Sequence, residues 1–175
     1  MIASSIVNSF KHIVEWSGKL VSWFALLMVM VTFTVVLLRY VFDTGSIALQ
    51  ESITYLHASI FLIGAAWTMQ QDAHVRVDIF YARFNSETRA WVDLIGSLLL
   101  LLPVMVFITW VSWEYISDSW AVNEGSREAG GLAGVYLLKT LILVFTGLLI
   151  LQGLVQAIES ISKILSPSVN EIDKH

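Results

Sequence analysis

The stretch Leu20–Leu38, LVSWFALLMVMVTFTVVLL, runs for 19 residues without Asp, Glu, Lys or Arg. Three more uncharged stretches follow it: Ser52–Gln71 with 20 residues, Leu94–Trp113 with 20 and Thr140–Ile158 with 19. A helix over each stretch is about 28–30 Å long, which matches the hydrocarbon core of a bilayer. None of them alternates as a barrel strand does. The sequence therefore predicts an all-α, polytopic integral membrane protein with four transmembrane helices.

The composition of the 175-residue chain agrees with this prediction. It is 57% hydrophobic and 14% charged, with a mean hydropathy of +0.74, whereas soluble domains are about 25% charged. The absence of Cys excludes disulfide scaffolds and thiolate metal sites. A net charge of −4 gives no support to nucleic acid as a partner.

The spans and charges define one membrane domain. We expect residues 1–165 to form it, with helices at about 20–39, 49–71, 90–116 and 137–160, followed by a cytoplasmic tail of residues 166–175. The N-terminal segment, the middle loop and the tail hold seven Lys and Arg residues, against three in the other two loops. The positive-inside rule then places both termini in the cytoplasm. The first span is too long for a signal peptide, whose apolar part is roughly 7–15 residues.

Two segments beside the spans have patterns of their own. The N-terminal residues Ile2, Ile6, Phe10, Ile13 and Val14 are spaced by 4, 4, 3 and 1, which predicts an amphipathic helix lying on lipid or against a partner protein. After the middle loop, Asn85 or Ser86 is expected to cap a helix that leads into span three.

A search of the spans for chemistry finds one candidate, His57 in span two. A haem between helices needs a second ligand at the same depth, and the other His residues belong to the predicted cytoplasmic side. His57 is either a packed or interface histidine or a proton relay. We find no nucleophile–base pair, phosphate loop or metal motif. We therefore expect no catalytic, substrate-binding or metal-binding residue, no cofactor and no enzymatic activity.

Charged and small residues near the span ends are candidates for contacts. Arg39 and Glu51 flank the first outer loop, and Glu114 and Lys139 flank the third. Each pair is expected either to form an ion pair or to extend to lipid headgroups. Small residues at Gly64-Ala65-Ala66 would let a helix of this chain or of another approach closely. Glu124 and Glu128 give the third loop acidic charge that could steer a partner.

Several of these motifs, taken in order, resemble one known family. The sequence is similar over residues 20–157 to the small membrane subunit of tripartite ATP-independent periplasmic (TRAP) transporters. The residues that carry the resemblance are Arg39-Tyr40-Val41-Phe42, Gln50-Glu51, Gly64-Ala65-Ala66, His74-Val75-Arg76-Val77-Asp78, Asn123-Glu124-Gly125-Ser126-Arg127-Glu128, Tyr136-Leu137-Leu138-Lys139-Thr140-Leu141-Ile142 and Leu149-Ile150-Leu151-Gln152-Gly153. Ala133 stands where a proline is expected before span four.

The resemblance implies a scaffold role in the bacterial inner membrane. In this family a large elevator subunit holds the sodium and substrate sites, and a periplasmic binding protein delivers the substrate, usually an organic acid. The small subunit packs beside the large one in membrane lipid. The implied interface candidates are Arg39, Glu51, Gly64, His74, Arg76, Asp78, Glu114 and Lys139. The alternatives are an autonomous four-helix membrane protein, either a redox anchor or an exporter, and an assembly factor for another complex.

Overall fold

A computed structural model describes residues 2–73, 81 and 83–165 of the chain, with side chains from residue 7 onward. All regular structure in this part of the chain is helical. The helices are α1 Ile2–Val41, α2 Ile47–Gln70, α3 Ser86–Ile95, α4 Leu102–Ala121 and α5 Val135–Leu165. A π-helical segment, Gly96–Leu101, joins α3 to α4 without a break. The predicted tail, residues 166–175, lies outside the described residues.

Four helical stretches in the described residues are long and apolar enough to cross a membrane. They are α1, α2, the continuous run through α3 and α4, and α5, so the prediction of an all-α, four-span membrane protein is confirmed. Successive spans run in opposite directions. We call the end of the bundle that holds residues 7–19, 66–73, 83–95 and 152–165 the termini end. The opposite end, which holds residues 38–55 and 114–140, is the loop end.

The predicted amphipathic segment is the first part of α1. The 40 residues of α1 reach about 60 Å, roughly twice the thickness of the hydrocarbon core. Its inner part packs on other helices of this chain: Val14 is fully buried, and Gln70 Nε2 donates a 3.1 Å hydrogen bond to the Lys11 carbonyl. Lys11 also forms an ion pair with Glu159 of α5. Part of the segment is thus covered by the chain itself, while Trp16 remains 62% exposed.

Helix α5 is the centre of the bundle because it contacts α1, α2, α3 and α4. One third of its most apolar 18-residue window is buried, compared with 6% for α1 and for α2. The core cluster joins one residue from each span: Val14, Ala66, Met105 and Leu149. The remaining apolar surface of the spans is exposed in the isolated chain, which is what lipid or a second membrane protein would cover.

Local signals explain where helices begin and where span three changes pitch. Asn85 Oδ1 accepts a 2.8 Å hydrogen bond from the Thr88 N–H, so the predicted cap of α3 is confirmed as Asn85. Ser46 caps α2 in the same manner. In the π-helical segment the Leu102 N–H bonds the Ser97 carbonyl. Pro103, which has no N–H to donate, follows directly.

A candidate docking site at the loop end

The third loop is fastened to α2 by one carboxylate. Glu51, in the second turn of α2, accepts a hydrogen bond from the Ser126 hydroxyl and a 2.7 Å hydrogen bond from the backbone N–H of Leu132. The Ser126 N–H in turn bonds the Leu132 carbonyl at 2.9 Å. We call Glu51, Ser126 and Leu132 the loop clamp. Because it uses both oxygens of a carboxylate, its hydrogen bonds are of the stronger, charge-assisted kind.

A glycine makes the loop clamp possible. A Cβ added to Gly131 would lie 2.4 Å from Ser126 Oγ and 2.8 Å from Glu51 Oε1. Both distances are shorter than van der Waals contact, so the loop can approach Glu51 only where residue 131 has no side chain. Gly131 is therefore needed in this loop for a steric reason, and not only because glycine makes a loop flexible.

A second network joins the third loop to α4 and α5. Glu124 forms an ion pair with Lys139 and accepts a 2.6 Å hydrogen bond from Ser119. Lys139 also lies over the Tyr115 ring, with Nζ 3.8 Å from the centroid. The hydrogen bond from Lys139, and then that from Ser119, hold the pKa of the Glu124 carboxyl below its usual value of 4.5. The Lys139 side chain is only 13% exposed, so this charge is internal to the fold.

Aromatic packing closes the hairpin between α4 and α5. Trp120 Nε1 donates a 2.9 Å hydrogen bond to Thr140 Oγ1. The same indole packs edge-on against Tyr136, with ring centroids 4.6 Å apart. Each interaction joins the last turn of α4 to the first turns of α5. Together with the two networks above, it makes the loop end an ordered surface.

The charges left on this surface are mostly acidic. Four carboxylates at the loop end are exposed, against two exposed basic residues. The acids are Asp43, Glu114, Asp118 and Glu128, and the bases are Arg39 and Arg127. The surface can therefore attract a basic partner at long range. Among the described residues, no group of three or more His, Asp or Glu is placed to hold a metal ion.

A second exposed feature runs down one side of α2. The exposed positions of this helix are spaced by 3, 4, 3 and 4, which places them in a single line. They are Ile47, Gln50, Thr54, His57 and Phe61, and we call them the α2 stripe. His57 stacks on Phe61, with ring centroids 6.5 Å apart and the planes at 23°. Three of the five side chains are polar, and two of them, Thr54 and His57, lie within the uncharged stretch Ser52–Gln71.

Of the two alternatives predicted for the charges at the span ends, the ion pairs Arg39–Glu51 and Glu114–Lys139 are wrong. Lys139 pairs with Glu124 and not with Glu114, because the loop folds back and brings Glu124 to α5. Glu51 bonds the third loop and not Arg39. Within the described part of the chain, Arg39 and Glu114 form no ion pair, and both are exposed. The positions of these groups along the sequence indicated that they lie near the ends of the spans. Which groups they bond depends on how the third loop folds.

The structure also locates the small residues of span two. A Cβ added to Gly64 would lie 3.9 Å from Val21 of α1, and Ala66 is fully buried in the core. The helix that approaches here is thus one of this chain. Contact of Gly64 with a second protein stays a prediction. The candidates His74, Arg76 and Asp78 lie outside the described residues.

Sequence reasoning missed the residues that complete the two networks. Ser119, Ser126 and the Leu132 N–H give no signal of their own, since Ser is common in loops and every residue except Pro has an N–H. The one available signal was the surplus of Gly beside Glu and Ser in residues 123–134. Such a composition indicates a loop that folds back and bonds another group of the protein, but it does not identify Glu51 as that group.

Comparison with known proteins identifies a family. The family model described as "Tripartite ATP-independent periplasmic transporters, DctQ component" matches residues 28–163. That range begins within α1 and ends within α5, so it includes the second half of the first span, nearly all of the other three and both networks of the loop end. Searches against curated proteins and against solved structures gave no significant match.

Proposed function

This chain belongs to the DctQ family, the small permease component of TRAP transporters, and from that premise we propose that it is the stationary scaffold of its transporter. In this proposal it holds a large elevator subunit in the bacterial inner membrane. That subunit performs sodium-coupled uptake of an organic acid, which a periplasmic binding protein delivers. The single observation that carries the scaffold role is the α2 stripe.

The argument from the α2 stripe is energetic. His57 lies six residues beyond Glu51, which is about 9 Å further along the helix. Polar side chains at such a depth are costly when they face lipid, so they usually face protein or water. We propose that the large subunit packs along this stripe and supplies polar partners to Gln50, Thr54 and His57. The stripe replaces Gly64 as the best-supported contact on span two.

Site-specific cross-linking tests this contact directly, because the chain has no native Cys. With His57→Cys, a short thiol-to-amine cross-linker in native membranes should join this chain to the large subunit. Leu99→Cys is the matched control, since that side chain is 69% exposed on span three. Efficient cross-linking of the large subunit from Leu99 but not from His57 would contradict the proposal.

The orientation is proposed from the distribution of Lys and Arg. The termini end carries most of these residues and would face the cytoplasm, and the loop end would face the periplasm. Gly45→Cys tests the orientation without disturbing the fold, because a Cβ at this position has no neighbouring atom within 4 Å. A membrane-impermeant maleimide should label it in intact spheroplasts. Labelling only after lysis would show that the loop end faces the cytoplasm, which contradicts the proposed orientation.

The acidic loop end is proposed to meet the binding protein. Exposed charges act mainly on the association rate and are screened by salt. Reversing Asp118 and Glu128 to Lys should slow transport most at low ionic strength. Glu124 is unsuitable for this test, since it is engaged by Lys139 and Ser119. Equal transport by the reversed variant at low and high salt would exclude charge steering.

Transport itself is tested by reconstitution. Vesicles with this chain, the large subunit and the binding protein should accumulate an organic acid when a sodium gradient is imposed. Vesicles with this chain alone should not. Accumulation by the chain alone would instead support the alternative of an autonomous four-helix membrane protein.

A further inference from the structure

A line of polar side chains runs along the first half of α1. Its five positions are spaced by 4, 3, 4 and 3, which places them on one side of the helix. Four of them are exposed and one is partly exposed. They are Asn8, His12, Glu15, Lys19 and Ser22, and we call them the α1 stripe. This stripe starts at the termini end, whereas the α2 stripe lies toward the loop end.

The side of α1 next to the stripe is apolar over the same length. Ile13, Trp16, Leu20 and Trp23 are spaced by 3, 4 and 3, and each is 48–70% exposed. The same turns of α1 therefore carry one polar and one apolar exposed side. A helix that is surrounded by lipid on both sides does not show this asymmetry, so the two sides have different neighbours.

Contacts with α2 give the depth of the α1 stripe. A Cβ on Gly18 would meet Trp67, and a Cβ on Gly64 would lie 3.9 Å from Val21. Trp67 and Gly64 lie 4 and 7 residues before Gln71, the last residue of the uncharged stretch of span two, which is about 6 and 10 Å of helix. The stripe therefore reaches into the hydrocarbon core.

A contact with α5 gives a similar depth. Lys11 pairs with Glu159, the first charged residue after the uncharged stretch Thr140–Ile158. Lys19 follows Lys11 by eight residues, which is about 12 Å along α1 toward the loop end. The ion pair between Lys19 and Glu15 is thus at a depth where charged groups that face lipid are costly.

The ion pair leaves part of its hydrogen-bonding capacity unused. The Lys19 side chain is 63% exposed and that of Glu15 is 40% exposed. Among the described residues, Glu15 is the one acceptor that Lys19 bonds, although an ammonium group has three N–H donors. Acyl chains offer no acceptor for the others. A protein surface with carboxylate or carbonyl oxygens is therefore the neighbour that fits this side of α1.

We propose that the α1 stripe is a second contact with the large subunit, formed with a polar helix face that places a carboxylate opposite Lys19. The inference rests on the proposed function, because it names the same partner as the α2 stripe does. The large subunit then holds the hairpin of α1 and α2 toward both ends of the bundle. The apolar side of α1, with Trp16 and Trp23, faces lipid.

Electron paramagnetic resonance identifies the neighbours of both sides of α1. The full-length chain has no native Cys, so a nitroxide is attached to Ser22→Cys or, as the matched control, to Leu20→Cys. Collisions with oxygen and with a water-soluble nickel chelate are measured in lipid nanodiscs. Adding the large subunit should shield the label at residue 22 from both reagents and leave the label at residue 20 accessible to oxygen. Persistent oxygen collisions at residue 22 would indicate lipid, persistent nickel collisions would indicate water, and either would overturn the proposal.

Charge variants test the contact by affinity. Lys19→Glu should raise the Kd for the large subunit in detergent about thirtyfold or more, the lower end of the loss expected when a charge contact in an interface is broken. The double variant Glu15→Lys with Lys19→Glu keeps an internal ion pair and should lose affinity as well, which separates a lost contact from a destabilised helix. Lys163→Glu, at an exposed position off the stripe, should change nothing. Parental affinity in the folded double variant would overturn the proposal.

The same complex distinguishes this inference from the scaffold role. If His57→Cys cross-links the large subunit while the label at residue 22 stays accessible, only the second contact is rejected. If residue 57 gives no cross-link and residue 22 is not shielded, the scaffold role is rejected together with the second contact.

Discussion

Glu51 and Leu132 are 81 residues apart in sequence, yet the Glu51 carboxylate accepts a 2.7 Å hydrogen bond from the Leu132 backbone N–H. This contact joins the second helix of the chain to the loop before the last one. With the Ser126 hydroxyl on the same carboxylate, it makes the loop end a product of distant parts of the sequence. The stability of that surface can be tested without any partner protein.

The loop clamp predicts a graded response to substitution of Glu51. Glu51→Ala removes both acceptor oxygens and should raise amide hydrogen exchange in residues 126–132 by about tenfold or more, the order expected for a lost charge-assisted hydrogen bond. Glu51→Gln keeps one carbonyl acceptor and should give a smaller increase. Exchange that is equally slow in both variants and the parent protein would contradict the clamp.

The crossing of α1 and α2 predicts that Gly18 does not tolerate a side chain. A Cβ there would lie 2.3 Å from Trp67 Cγ and 2.4 Å from Trp67 Cβ, so Gly18→Ala should destabilise the bundle by about 1–3 kcal/mol. Gly147→Ala is the control, because it meets nothing within 4 Å and should be neutral or stabilising. Thermal unfolding in detergent measures both. Equal melting temperatures for the two variants would count against this packing.

The ion pair between Glu124 and Lys139 predicts a pH dependence of the third loop. The folded-state pKa of Glu124 is lowered from 4.5, so the unfolded state takes up the proton first as the pH falls. The stabilisation is therefore complete above about pH 4.5 and is lost as the pH falls through the folded-state value. Hydrogen exchange of residues 122–134 should rise over this range. Glu124→Gln should flatten the response, whereas Glu114→Gln, on an exposed carboxylate, should preserve it.

Inside the bundle, one hydrogen bond between spans has a testable cost. Thr109 Oγ1 donates to Thr146 Oγ1 at 2.8 Å, and Thr146 is fully buried. Thr146→Val keeps the shape and should cost about 0.6–1.7 kcal/mol, the range for hydrogen bonds between membrane helices. Thr32→Val is the matched control, because Thr32 is exposed and bonds only its own helix. A loss no larger than that of the control would show that the bond contributes nothing.

The helices were predictable because each depends on a local property. The uncharged stretches set the number of spans, and Asn85 signalled the start of α3 by its own side-chain chemistry. The predicted amphipathic segment and the first span form one continuous helix, α1, although several polar residues lie between Lys11 and Lys19. A helix crosses such a segment easily when Val14 on its other face is buried by α2 and α5.

The candidate sites were predictable only in part. The position of Glu51 and Lys139 beside uncharged stretches placed both near span ends, but the ion pairs considered for them were the wrong ones. Partner choice depends on how the third loop folds, and that fold depends on Gly131 approaching Glu51. Whether His57 faces lipid, another protein or the core could not be deduced either, since a single His in an apolar helix does not show which side of the helix faces outward. Its place on the α2 stripe appears only once α1 and α5 are packed against the other sides of α2.

The loop clamp also has a consequence for biosynthesis. Glu51 leaves the ribosome 81 residues before Leu132, and at about 5–20 residues per second that separation lasts roughly 4–16 seconds. During this interval the carboxylate has neither of its native donors, so water or headgroups must solvate it. The nascent chain can therefore insert its first three helices before the mature surface at the loop end exists. Only completion of the final hairpin brings both donors to the Glu51 carboxylate.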